Sequence, residues 1–159
     1  MKNGTAAMLI LASVLATAAT GHARTPTVDA VGANDVSSPV GIWKTVDDKT
    51  GKARSLVRIY EKDGKLFARI EQSLIPGDEA RTCTKCPDDR KDQPLIGLEF
   101  MRGMTLMDGE YRGGDILDPD SGSIYRCKVR LVDGGTRLKV RGFLGVSLFG
   151  RSQTWERER

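Results

Sequence analysis

Past about residue 40, apolar and polar side chains alternate with a period of two, and glycine-centred turns interrupt the alternation. In SLVRIYEKDGKLFARIEQ (residues 55–72), Val57 and Ile59 fall on one face; beyond Asp63-Gly64, so do Leu66, Ala68 and Ile70. Successive side chains of an extended strand point to opposite sides, so each arm has one apolar face. An Asp-Gly pair between two such runs predicts a tight hairpin. SIYRCKVRL (123–131) repeats the pattern, with Tyr125, Cys127, Val129 and Leu131 on one side and Ile124, Arg126, Lys128 and Arg130 on the other. Leu138 and Val140 continue the apolar face beyond Asp133-Gly134-Gly135.

No stretch after residue 40 has the 3.6-residue apolar period of a helix of ordinary length. Turn signals recur about every ten residues, which predicts an all-β sandwich or barrel. Hairpins between near neighbours favour an antiparallel up-and-down barrel of about eight strands, because closure removes exposed strand edges. Barrels of that size are either filled by side chains or hold one small ligand. The inward positions that would line such a cavity are Trp43, Val57, Ile59, Leu66, Ala68, Ile70, Tyr125, Val129, Leu138 and Val140.

The first forty residues read differently. Lys2 precedes an uncharged apolar run from Ala6 to Ala19, and Gly21-His22-Ala23 supplies small residues before Arg24. That order is the positive end, apolar stretch and cleavage site of a secretory signal peptide, over residues 1–23. The run is shorter than the roughly 20 apolar residues that a membrane span needs. Residues 24–39 show no periodicity and read as a flexible leader, and residues 40–159 as a single barrel domain. The expected compartment is the periplasm or the exterior.

Export changes which chemistry is expected. His22 is the sole histidine of the sequence and leaves with the signal, so imidazole bases and histidine-bound zinc drop out. Loss of Lys2 lowers the formal net charge of +4 by one, a small excess that argues against nucleic acid as partner. In an oxidising compartment, Cys83 and Cys86 in CTKC predict a disulfide; a bridge from either to Cys127 stays open, since spacing does not fix connectivity. A Cys83–Cys86 ring is small and contributes about 2 kcal/mol at most. Structural zinc would need two further soft ligands, and only Cys127 is left, so no metal and no cofactor is expected.

Two acidic patterns invite a catalytic reading. Asp118, Asp120 and Gly122 resemble the start of a calcium loop, but no Glu stands at its twelfth position, and Asp118-Pro119 with Gly122 suffices for a tight turn. Asp115 and Glu99 could face across a cleft only if the fold brought them together, so the chain is not expected to be an enzyme. Arg126, Lys128, Arg130, Arg137, Lys139 and Arg141 fall on outward positions of one hairpin. That basic face could meet an anionic envelope surface, or simply keep the sheet soluble.

GIWKTVDDKTGKARSLVRIYEKDGKLFARI, KDQPLIGLEFMRGM, GGDILDPDSGSIYRCKVRL and LKVRGFLGVSLFGRSQTWERE together resemble the exported bacterial family catalogued as domain of unknown function 2147, from Gly41 to Arg157. The resemblance implies a lipocalin-like, or calycin-like, barrel in the periplasm. It also implies that Gly41 and Trp43 form the Gly-x-Trp of a first strand, with Arg157 packed over that Trp. Gly142, Gly145, Gly150 and Trp155 fall in its GFLG and FGRSQTW motifs. The function expected is binding of a small apolar or amphipathic molecule such as a lipid or fatty acid. The alternative is an envelope-interaction module with a filled barrel, and less so a carboxylate hydrolase.

Overall fold

A computed structural model describes residues 36–146, 148 and 150–158, and the expected signal peptide lies outside them. Eight strands follow in chain order: β1 (Gly41–Val46), β2 (Ala53–Lys62), β3 (Lys65–Ser73), β4 (Glu99–Met107), β5 (Glu110–Asp118), β6 (Ser123–Val132), β7 (Arg137–Phe143) and β8 (Gly150–Arg157). Each pairs antiparallel with the next, and β8 returns to β1, so the sheet is a closed up-and-down barrel.

Loop lengths divide the barrel into two ends. At one end the connections are tight. Asp63 and Gly64 both have positive φ and join β2 to β3, and Asp108 and Gly109 do the same between β4 and β5. Two residues with positive φ are what a type I′ hairpin requires. Asp133–Gly135 forms a short 3-10 turn between β6 and β7. At the other end the connections run longer, above all residues 74–98 between β3 and β4.

The tight end is packed solid. Trp43, Ile59, Leu66, Ala68, Met101, Met104, Val129 and Leu138 are completely buried there. Trp43 is the plug. Its indole Nε1 donates to the Pro39 carbonyl at 2.8 Å, and the Arg157 guanidinium lies 4.3 Å from its ring centroid. Arg157 also donates to the carbonyls of Ser38, Val40 and Gly135 at 2.6, 3.2 and 2.8 Å. One planar cation thus covers the indole face and satisfies three backbone acceptors. Gly41 stands beside it; a Cβ there would lie 3.2 Å from Arg157 Nη1. At Gly135, φ is +84° and a Cβ would fall 1.8 Å from the Val36 carbonyl oxygen, so only glycine lets the incoming chain pass.

Ser38 and Pro39, read from the sequence as the end of the leader, are pinned by Arg157 and Trp43, and Pro39 is buried.

Removing the plug should therefore destabilise the whole barrel. Trp43→Ala is expected to cost about 3 kcal/mol or more, as large aromatic truncations in cores do. Arg157→Lys keeps the charge but loses the fork that reaches three carbonyls, and should cost about 2 kcal/mol. Urea midpoints measure both; unchanged midpoints would show that the plug does not hold the barrel closed.

Candidate ligand-binding site

Toward the long-loop end the packed core gives way to space. A cavity of about 490 Å³ opens between the strand ends. β8 runs from that mouth at Gly150 to the closed end at Arg157, so Trp155 is the deepest β8 residue on the cavity and forms its floor. Phe100 tilts against Trp155 with ring centroids 6.1 Å apart. The Trp155 indole NH is satisfied by Gln153 Oε1 at 3.1 Å, leaving an apolar surface beneath any occupant. Val57, Ile70, Ile116 and Val140 form the walls, while Gly142 and Gly150 contribute no side chain to narrow the mouth.

Of the ten inward positions named from the sequence, Val57, Ile70, Tyr125 and Val140 border this cavity. Trp43, Ile59, Leu66, Ala68, Val129 and Leu138 lie beneath it, in the packed half. The barrel is packed in one half and open in the other. Phe100, Ile116 and Leu95 were missed: Leu95 lies in the 74–98 connection outside any strand, and Ile116 follows a register shift between Arg112 and Asp115 in β5. β4 reads EFMRGMTLM, and bulges between β3 and β4 turn Met101 and Met104 inward out of phase. A period-two search cannot find such a strand.

Polar groups gather at the rim. Thr45 and Ser55 share a hydroxyl–hydroxyl hydrogen bond of 2.8 Å. Asp120 accepts from Arg81 at 2.5 Å and from Arg54 at 3.0 Å. Burial works to raise the Asp120 carboxyl, but the hydrogen bond from Arg81 and the nearby Arg54 outweigh it and hold it below its ordinary value. A lowered carboxyl keeps this clamp charged above the usual Asp range and releases it only as pH falls through the lowered value. Arg151 pairs in turn with Asp48 and lies 3.6 Å from Asp47.

The clamp fastens the long 74–98 connection across the mouth. Within it Cys83 and Cys86 are joined by a disulfide, and Cys83 Sγ lies 3.6 Å from the Pro119 carbonyl oxygen. Lys85 Nζ donates to the Asp120 carbonyl at 3.1 Å. A Cβ on Gly122, whose φ is +75°, would fall 2.0 Å from the Lys85 carbonyl oxygen, so the CTKC loop sits directly on the β5–β6 turn. That turn is closed from within: Asp118 accepts from the Asp120 amide at 3.0 Å and the Ser121 hydroxyl at 2.9 Å. Gly145 lies beyond β7 in the connection to β8.

The carboxylates considered for catalysis lie elsewhere. Glu99 accepts the Tyr60 hydroxyl and pairs with Arg102 at 2.7 Å, and Asp115 is 3.6 Å from buried Arg90; neither borders the cavity. Cys127 is a buried free thiol, pushed up to about 12 by burial, with Asp115 adding to the rise. At neutral pH it is a protonated thiol, a poor nucleophile. The six basic residues of the β6–β7 wall do form one outward surface, with Lys128 opposite Arg141 and Arg130 opposite Lys139.

Thiol counting checks this arrangement. Unreduced protein should show no group reactive with a chromogenic disulfide at pH 8 while native and one when denatured in guanidinium. Reduction beforehand should raise the denatured count to three. A native reactive thiol, or Cys127 in a linked peptide, would overturn it.

No curated protein sequence matches the chain. A solved structure described as "Protein HP1028 from the human pathogen Helicobacter pylori belongs to the lipocalin family" is similar in fold, with a TM-score of 0.66 and 22% identity over 77% of this chain and 84% of that one. The model of a family described as uncharacterized protein conserved in bacteria, DUF2147, matches residues 41–157, from the Gly-x-Trp strand to the arginine that covers it, and the chain belongs to that family.

Proposed function

We propose that this protein is exported and binds one small apolar or amphipathic molecule, such as a fatty acid or lipid, in the open half of its barrel, acting as a binding protein rather than an enzyme. The observation that carries this reading is the cavity itself. Its volume of about 490 Å³ falls within the roughly 300–1,000 Å³ of small-molecule sites. Its floor and walls are aromatic and aliphatic, and its polar groups lie at the rim, which suits a molecule with an apolar body and a polar end. Charge at the rim is already paired, Arg81 and Arg54 with Asp120 and Arg151 with Asp48. The site therefore favours an end group that needs hydrogen bonds rather than a strong counter-charge. Export is supported by the charged start, apolar run and small-residue site of residues 1–23, and by the Cys83–Cys86 disulfide.

A pair of variants separates cavity from core. Ile70 is half-buried on the cavity wall, so Ile70→Trp has room to project into the space; it should keep the fold and lower affinity for a fluorescent fatty acid at least tenfold. Ala68 lies in the packed half, so Ala68→Phe should overpack it and cost about 1–3 kcal/mol. Wild-type protein that binds no fluorescent fatty acid or other apolar dye would defeat the proposal.

A further inference from the structure

The connection from β7 to β8 leaves three large apolar side chains in water at the barrel mouth. Leu144, Val146 and Leu148 are 64, 62 and 78% exposed, the highest values among the large apolar residues described. Such a cluster on one loop tip marks a contact surface more often than chance. Leu144 also borders the cavity, so the loop begins at the mouth itself.

The wall that carries this loop is basic. Arg126 and Arg141 lie nearest the mouth, where β6 begins and β7 ends. Arg141 donates to the Leu148 carbonyl at 3.1 Å, tying the apolar tip to the wall. Behind it Lys128 faces Arg141 and Arg130 faces Lys139 directly across the β6–β7 ladder. Like charges directly opposite destabilise a sheet unless something neutralises them. Lys128 has Glu110 at 3.5 Å, and Arg137 has Asp133 at 3.3 Å. Arg126, Arg130 and Lys139 make no ion pair among the described residues. The acids of the mouth are the reverse case: Asp120, Asp47 and Asp48 are each engaged by arginine.

We propose that Leu144, Val146 and Leu148 and the β6–β7 wall form a docking surface for an anionic lipid bilayer, which brings the cavity mouth to the membrane. The proposal rests on the ligand reading only for its purpose, the exchange of an apolar molecule between bilayer and barrel. Leucine and valine enter the acyl boundary while the cations meet phosphate, as at interfacial membrane sites in general. Each cation near an anionic surface is worth about fivefold in partitioning at physiological salt. A second copy of this chain fits the surface poorly. A two-fold contact sets the same patch against itself, and here that would oppose cation to cation.

Sedimentation of the whole mature chain with vesicles tests the proposal. Wild-type protein should partition onto equal parts phosphatidylglycerol and phosphatidylcholine at least tenfold more strongly than onto phosphatidylcholine alone, and about 0.5 M salt should abolish the difference. Val146→Ser with Leu148→Ser, and separately Arg126→Glu with Arg130→Glu, should each lower partitioning onto anionic vesicles at least tenfold. None of these four residues borders the cavity, so binding of a fluorescent fatty acid in solution should be unchanged. Equal partitioning onto both vesicle types, or variants that partition like the wild type, would overturn the docking surface. So would a wild-type dimer in ultracentrifugation that Val146→Ser with Leu148→Ser dissociates, since the loop would then be covered by a second copy. Loss of fatty-acid binding with partitioning intact would remove the ligand reading and leave the docking surface standing.

Discussion

The stacking of Arg157 on Trp43 is the contact on which the barrel depends. β1 and β8 share only two registered pairs, Trp43 with Arg157 and Lys44 with Glu156, so the seam that closes the sheet is its shortest. The seam is reinforced where it is short. The Arg157 guanidinium covers the Trp43 ring and ties the Ser38, Val40 and Gly135 carbonyls, and Lys44 meets Glu156 at 2.9 Å. A planar fork is the one side chain that can stack on an indole and reach three acceptors at once. Without it, closure would leave backbone carbonyls unpaired at a dry end of the core.

Closing one end firmly frees the other. Large side chains and tight Asp-Gly turns fill the Trp43 end; the opposite end has Gly142, Gly150, Val57 and Val140 where bulk would otherwise meet. Space opens there where Gly142 and Gly150 add no side chain, and the 74–98 connection walls it off. That connection is held by ion pairs to Asp120 and by the fit of Lys85 against Gly122, with the Cys83–Cys86 ring stiffening its tip. These ties are exposed polar contacts, each worth little beside the plug. The mouth is accordingly the part of the molecule where opening is cheapest.

The outer surface follows a similar division. Around the mouth, acids and arginines neutralise one another; on the β6–β7 wall, cations stand across from cations. A barrel needs no such wall for closure, and the cost of like charges side by side is small only while water and salt screen them. The exposed leucines and valine of the next connection add an apolar edge to that surface.

The alternation of Val57, Ile59, Leu66, Ala68, Tyr125, Cys127 and Val129, with Asp63-Gly64 as punctuation, by itself determined an all-β fold and which side of each of these strands is buried. Period-two burial is local, so it can be read from neighbouring residues alone. The same locality made Cys83 and Cys86 legible as a pair. What the alternation could not say is how deep each inward residue lies, because depth depends on register and strand tilt around the whole barrel. Ala68 and Ile70 look equivalent in the chain, yet one lies in the packed half and the other on the cavity wall. Met101 and Met104 were hidden by bulges, and the clamp of Arg54 and Arg81 on Asp120 joins residues far apart in sequence. Only closure of the sheet brought those partners together, and with them decided that half of the barrel is solid and half is open.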